Sequence, residues 1–277
     1  MTTRPPSRLY AVVGDPVSHS LSPLIHNRWM REAGLDAHYS AIHLQTSDAA
    51  PGLRLLAKDY SGLNITLPHK IAALAASDTA SADAKRVGAA NTLVRTDSGG
   101  WSAHNTDIEG FAAALQSAEG SDLKGKSVVL IGAGGAARAA VLHLAKLGAD
   151  LSIVNRSKEN ADALAKDLAP KARTAGLDQL GALADQAVAV VNSASLGHAG
   201  GNLPTLPPGK GRPFLDMSYG KASETVLNQA RLAGWAPHDG LHMLVGQAAA
   251  AFHIWFGLVP DTDGALDACR AAVAARS

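Results

Sequence analysis

SVVLIGAGGAARAAVLHLAKLGADLSIVNRS, residues Ser127–Ser157, is the stretch whose reading decides the fold. Val128–Ile131 is an apolar run of strand length, too short for a helix. Gly132, Gly134 and Ala137 follow in the pattern G-x-G-x-x-G/A, where a strand should turn into a helix. Gly132 permits the tight turn, Gly134 lets a pyrophosphate approach the backbone, and Ala137 lets helix and strand pack closely. The spacing predicts a helix over about Ala136–Leu147, with Val141, Leu144, Ala145 and Leu147 on one face and Gly148 as its stop. Its first N–H groups would face a phosphate. The whole unit reads as a dinucleotide-binding strand–turn–helix–strand; the plainer alternative is a glycine-rich turn in an ordinary α/β unit.

The second strand, Leu151–Val154, bears on which dinucleotide is bound. An NAD site places a carboxylate about 20 residues past the first glycine, to hold the ribose 2′-OH. Here the chain reads Asn155-Arg156-Ser157-Lys158. A guanidinium in place of a carboxylate favours NADP, because it attracts a 2′-phosphate that a carboxylate would repel. An arginine merely solvated in a loop is the alternative.

The 277 residues suffice for two modest domains, and a 47% hydrophobic, 18% charged composition supports a sizeable core. Net charge is +1 and no long basic run occurs, so nucleic acid is not an expected partner. The single cysteine, Cys269, excludes an intramolecular disulfide and a zinc site built on several cysteines. His238 and His242 flank Gly240 with no third ligand close by, so no metal is expected. MTTRPPSRLYAVVG holds no apolar signal core and no long apolar span occurs, so the expectation is a cytoplasmic protein without a membrane partner.

Along the chain, Leu9–Val13 reads as a first strand. Ser22-Pro23 reads as the N-cap and first residue of a helix running to about Ala33, leaving Ser20 just outside without a structural task. His38–Leu44 fits a strand and Leu53–Tyr60 a short helix. In Gly62–Lys70, Asn64 and Thr66 alternate with Leu63, Ile65 and Leu67, as on a strand with one polar face. Pro68 ends that strand and a helix starts near Lys70, where a cation meets the positive end of the dipole. Either Lys70 points to water, or a carboxylate or substrate compensates it. Asn91–Thr96 and Trp101–Asn105 form a hairpin, and Asp107 opens a helix to about Gln116, where its charge also suits the dipole. After the glycine-turn unit, strands and helices continue to alternate. Val188–Val191, leading into Asn192–Ser195, and Phe214–Met217, leading into Ser218-Tyr219, are strands whose carboxyl ends face the crevice of an open α/β sheet. Met243–Phe256 is an apolar helix in which Gln247 is the polar residue that stands out, and a last helix covers about Asp263–Ala275.

These motifs resemble the shikimate dehydrogenase family, nearly end to end. The resemblance is carried by Ser20-Leu21-Ser22-Pro23, Asn64–Lys70, Gly88–Thr92, Asn105-Thr106-Asp107, Gly132–Ala137, Asn155-Arg156-Ser157, Asp216–Tyr219 and Met243–Gln247, in that order. It implies reversible reduction of 3-dehydroshikimate to shikimate with NADPH. It also implies an α/β fold, with a Rossmann-type NADP-binding domain over residues 107–240 and a smaller α/β substrate-binding domain from 1–106 and 241–277. Ser20 and Ser22 would bind the substrate carboxylate. Thr66, Asn91, Asp107 and Gln247 would bind ring hydroxyls with Tyr219 nearby, and Lys70 and Asp107 would form the catalytic pair. Cofactor contacts are implied at Gly132, Ala133, Gly134, Gly135 and Ala136, at Asn155, Arg156, Ser157 and Lys158, and at Met217 and Gly240. Two departures stand out. Ser157 and Asn160 occupy positions where the family often has threonine and a second arginine, so the phosphate clamp is lighter. Ser193-Ala194 replaces the common Ala-Thr after Asn192, which leaves a nicotinamide-side contact open. The partner expected is a small molecule and the chain a monomer or homodimer. A broader quinate/shikimate dehydrogenase and a non-enzymatic NADP sensor remain as rival readings.

Overall fold

The computed structural model describes residues 8–118, 122–194 and 203–276, and Ser195 lies outside them. The chain divides into two compact units: the chain up to Thr106 with Gln247–Cys269, and Asp107–Gly246 with the chain from Arg270 on.

The first unit is built on strands β1 (Arg8–Gly14), β2 (Ala37–His43), β3 (Tyr60–Ile65), β4 (Thr79–Ala80), β5 (Thr92–Arg95) and β6 (Trp101–His104), in the sheet order β2-β1-β3-β5-β6-β4. β1 pairs in parallel with β2 and β3, whereas β5 runs antiparallel to β3 and forms the expected hairpin with β6. Alternate residues of the strands enter one core. Ala11 and Val13, Leu63 and Ile65, Leu93 and Ala103 pack there with Leu53 and Ala57 from the region of α2 (Ala49–Leu56) and Ala73 of α3 (Lys70–Ala75). Trp101 closes this core, its indole N–H donating to the Leu53 carbonyl at 2.7 Å. An aromatic cluster from α1 (Ser22–Glu32), the strands and the end of α10 (Leu241–Phe256) joins Trp29, Tyr39, Phe252 and Trp255 around His26. Gly62 has a packing reason: a Cβ there would stand 2.4 Å from the Trp255 indole nitrogen, which donates to the Leu93 carbonyl. The short α4 (Ala82–Val87) shows local sequence logic at both ends. Ser81 Oγ accepts from the Ala84 N–H, and Gly88 takes the left-handed conformation at φ +72°.

The second unit is a six-stranded, wholly parallel sheet of β7 (Ser127–Ile131), β8 (Asp150–Val154), β9 (Arg173–Ala175), β10 (Ala189–Asn192), β11 (Pro213–Asp216) and β12 (Ala236–His238). The order β9-β8-β7-β10-β11-β12 is the 3-2-1-4-5-6 arrangement of a Rossmann fold. Such a sheet is covered on both faces, and β7 divides its side chains accordingly. Val128 and Leu130 join the core under α5 (Asp107–Ser117), α6 (Gly135–Lys146) and α7 (Lys158–Leu168); Val129 and Ile131 join that of α8 (Leu180–Gln186) and α9 (Lys221–Leu232). The apolar face of α6 differs from expectation. Val141 and Leu144 are buried and Leu147 packs against the same core as expected, but Ala145 is exposed, and Ala137 and Ala140, one turn nearer the helix start, complete the buried stripe close to β7. The chain ends with α11 (Thr262–Ala274). Among the described residues no helix is long and apolar enough to cross a membrane.

Candidate active site

In the first unit, buried polar side chains converge on Asn91, just before β5. Its Oδ1 accepts from the Thr106 N–H at 2.7 Å, and its Nδ2 donates to Thr106 Oγ1 at 3.0 Å and to Gln247 Oε1 at 3.4 Å. Asn64, on the polar face of β3, donates to the Asn91 carbonyl and to Thr92 Oγ1, and accepts from the Tyr39 hydroxyl at 2.7 Å. Burial raises the Tyr39 phenol well above its ordinary range, so it stays a donor. A buried polar network of this kind is rigid only while its members remain paired. It places Gln247, 156 residues away in sequence, beside Asn91. Asn64, Thr92 and Thr106 are members that sequence reading did not single out as site residues. Their signal was the polar alternation along Asn64–Thr66 and the Asn-Thr pairs at 91–92 and 105–106.

Lys70 is the first residue of α3 and half-buried; its carbonyl accepts the Ala90 N–H at 2.9 Å, which ties it to the segment bearing Asn91. Thr66 follows β3, and its methyl is what a Cβ on Gly14 would meet, at 2.4 Å. Ser22 departs from its expected role. It is the first residue of α1 rather than its N-cap, and Leu21 at the cap supplies no side-chain bond. Ser20 instead accepts the Ser22 N–H at 3.2 Å, because the chain enters the helix one residue earlier than the Ser-Pro pair implied. Ser20 therefore has a structural task after all. Asp107 belongs to the second unit, where it is buried at the start of α5.

In the second unit the glycine turn sits at the topological switch point between β7 and β10. Gly132 has φ +109°, and a Cβ there would lie 2.5 Å from Ser193 Oγ, which donates to the Ile131 carbonyl. Gly134 and Gly135 are different: a Cβ on either meets nothing within 4 Å. Among the described residues no side chain caps α6, which leaves its first N–H groups for a ligand. That cradle fits a pyrophosphate. Two carboxyl-end loops are joined next to it. Asn192 donates to Asp216 Oδ2 at 3.0 Å and grips Ala194 through both ends of its amide, while the Ser218 N–H donates to Asp216 Oδ1 at 2.7 Å. Burial raises the Asp216 carboxyl, and those two donors offset part of the rise. Gly240 is pressed on the same loop: its Cβ would stand 2.2 Å from the Met217 carbonyl oxygen, and its N–H donates to the Ser218 carbonyl. Met217 and Gly240 are thus neighbours, with Tyr219 two residues further along the loop.

Beyond β8, Arg156 is exposed and makes no hydrogen bond or ion pair among the described residues. Asn155 Nδ2 donates to the Ser157 carbonyl at 2.9 Å, bracing the turn. Lys158 is engaged, with both oxygens of Asp162 within 2.9 Å of its Nζ. Of the two cations in this segment, Arg156 is the one at liberty to meet a phosphate.

A doubly wound parallel sheet with an open glycine cradle at its switch point, joined in one chain to a second α/β unit with a buried polar cluster, defines a dinucleotide-dependent enzyme class. Family models identify which one. The chain matches a shikimate dehydrogenase substrate binding domain over residues 12–93, a shikimate/quinate 5-dehydrogenase domain over 113–199 and a shikimate 5′-dehydrogenase C-terminal domain over 240–270. It is 47% identical, over 98% of its length and 100% of the relative's, to a shikimate dehydrogenase (NADP(+)) of Hyphomonas neptunium. Among solved structures it is similar to the Thermus thermophilus shikimate 5-dehydrogenase in complex with NADP(H) and shikimate, with a TM-score of 0.81, 33% identity and coverage of 96% and 99% of the two chains. It is also similar to the Listeria monocytogenes enzyme in complex with shikimate and NAD, with a TM-score of 0.79, 28% identity and coverage of 97% and 99%. The chain belongs to the shikimate dehydrogenase family.

Proposed function

We propose that the chain catalyses the reversible, NADP-dependent interconversion of 3-dehydroshikimate and shikimate in aromatic amino-acid biosynthesis. One observation carries the reading: the match to an NADP(+)-named relative runs the length of the chain. The first unit is read as the substrate-binding domain and the second as the NADP-binding domain. Gly132, Ala133, Gly134, Gly135 and Ala136 would hold the pyrophosphate; Asn155, Arg156, Ser157 and Lys158 the adenosine side; Met217 and Gly240 the nicotinamide side. The cofactor, when bound, supplies the hydride.

The chain's own residues do the rest. Ser20 and Ser22 would hold the substrate carboxylate, and Thr66, Asn91, Gln247 and Tyr219 its hydroxyls. Asn91 and Gln247 are held in place by the network, so their amides need little reordering on binding. Lys70 would give its proton, and its positive charge, to the oxygen that becomes the alcohol. Asp107 would orient Lys70 and a neighbouring hydroxyl. The enzyme is read as acting on small molecules in the cytoplasm, as a monomer or homodimer.

Initial rates for shikimate and quinate, each with NADP and with NAD, test the assignment. The expected result is highest kcat/KM for shikimate with NADP. Equal efficiency with quinate would move the chain to the broader quinate/shikimate group, and no turnover with either acid would leave an NADP sensor.

A further inference from the structure

The segment after β8 carries an anion of its own. Glu159 lies in the first turn of α7, and its Oε2 accepts the Ser157 hydroxyl at 2.7 Å. Ser157 stands beside Arg156, in the segment that has to receive the 2′-phosphate of NADP. Asp162, one turn further along α7, holds Lys158 and also takes the Thr174 hydroxyl. Around the serine there are therefore two carboxylates, one cation already paired and one free guanidinium. The Glu159 carboxyl is held below its ordinary value by its own backbone N–H and by Ser157, so it is an anion at neutral pH.

A phosphate entering this segment needs donors and positive charge. It finds the serine hydroxyl turned to a carboxylate, and the start of α7, where an anion is favoured, occupied by Glu159. We propose that Glu159 is a specificity-determining residue: it competes with the 2′-phosphate for the Ser157 hydroxyl and repels it, and so narrows the preference for NADP over NAD. This rests on the cofactor assignment made above. NAD lacks the phosphate, so the ribose hydroxyl it presents suffers no such repulsion.

The test is direct binding, independent of turnover. Wild type, Glu159→Gln and Glu159→Ala are titrated calorimetrically with NADP, NAD, 2′,5′-ADP and 5′-AMP, at low and high salt. In Glu159→Gln, the Kd for NADP and 2′,5′-ADP should tighten by about fivefold, the scale of an exposed charge interaction. The Kd for NAD and 5′-AMP should stay within about twofold. The gain should shrink at high salt, because the group is exposed and screened. Glu159→Ala should behave likewise, which separates loss of the charge from a new contact made by the glutamine. Unchanged or weaker NADP binding in both variants, or parallel tightening of all four ligands, overturns the proposal. Wild type that fails to bind NADP at all overturns the cofactor assignment with it. NADP binding that the variants leave untouched overturns this inference alone.

Discussion

Lys70 and His26 show how differently a single titratable residue can be used. Lys70 begins a helix, where its charge is disfavoured by the dipole, and it is backbone-bonded to the Asn91 segment. Lys70→Ala should lower kcat by about 10²–10⁴-fold, the usual value of general-acid help, while the dissociation constant for shikimate changes far less. With Asp107→Asn added, the double variant should be little worse than Lys70→Ala, since groups acting as a unit are not additive. Losses in kcat that simply multiply would show independent roles. His26 is the opposite case. It is fully buried, neither ring nitrogen has a hydrogen-bond partner among the described residues, and it stacks on Tyr39 at 4.4 Å. Burial pushes its pKa down to about 3, with Asn64 offsetting part of the shift. The groups around it are aromatic rings, the Asn64 amide and the Tyr39 phenol, none of them charged. The unfolded chain binds a proton near pH 6.5 that the native state refuses until about pH 3. Stability should therefore fall as pH drops through that window, by roughly 2–3 kcal/mol between pH 6.5 and 4.5. His26→Leu should remove that share, seen as a smaller drop in Tm between pH 7 and 4.5 than in wild type. An identical drop in the two proteins would show that other groups control the acid limb.

At the scale of the element, the glycine turn between β7 and α6 separates two needs that share one motif. Gly132 serves the fold: its positive φ and its approach to Ser193 exclude a side chain. Gly134 has no such structural need: its backbone is extended at φ −85°, and a Cβ there would meet nothing within 4 Å among the described residues. Gly132→Ala should cost stability, about 1–3 kcal/mol for the strained backbone, visible as a lower urea midpoint. Gly134→Val should leave that midpoint nearly unchanged and weaken NADP binding at least tenfold, by filling the space before the helix N-terminus. Normal NADP affinity in Gly134→Val would show that the cradle is not where the pyrophosphate lies.

For the whole molecule, ligand binding and stability are one equilibrium. A ligand at about 100 times its Kd stabilises the native state by about 2.7 kcal/mol, which in a chain of this size raises Tm by roughly 5–10 °C. NADP should do so, and at the same NADP concentration Arg156→Ala should lose most of the rise. NAD should protect wild type and variant equally, because it offers the guanidinium no 2′-phosphate. Equal loss of protection by both cofactors would mean that Arg156 supports the fold of the segment rather than the phosphate.

Local patterns settled much of this molecule in advance. A four-residue apolar run ending in Gly132 can only be a short buried strand, and the glycines after it have few uses other than a close ligand approach or a tight turn. The β5–β6 hairpin and the helix stop at Gly148 were equally legible, since each depends on neighbours in sequence. The resemblance to a family supplied roles for Ser20, Lys70, Asp107 and Gln247 that spacing alone did not. Packing in three dimensions decided the remainder. Only there does Gln247 meet Asn91, does Trp255 require a glycine at 62, and do Asn192 and Asp216 lock adjacent strand ends together. Only there, too, does Ser20 accept the N–H of Ser22, the first residue of the helix that Ser22 was expected to cap, and does His26 end up buried with no partner for either ring nitrogen among the described residues. The physical reason is the same in each case. Periodicity and turn chemistry act over a few residues, whereas a buried polar group's partners, and the space left for a side chain, depend on which distant segments the folded core brings against it.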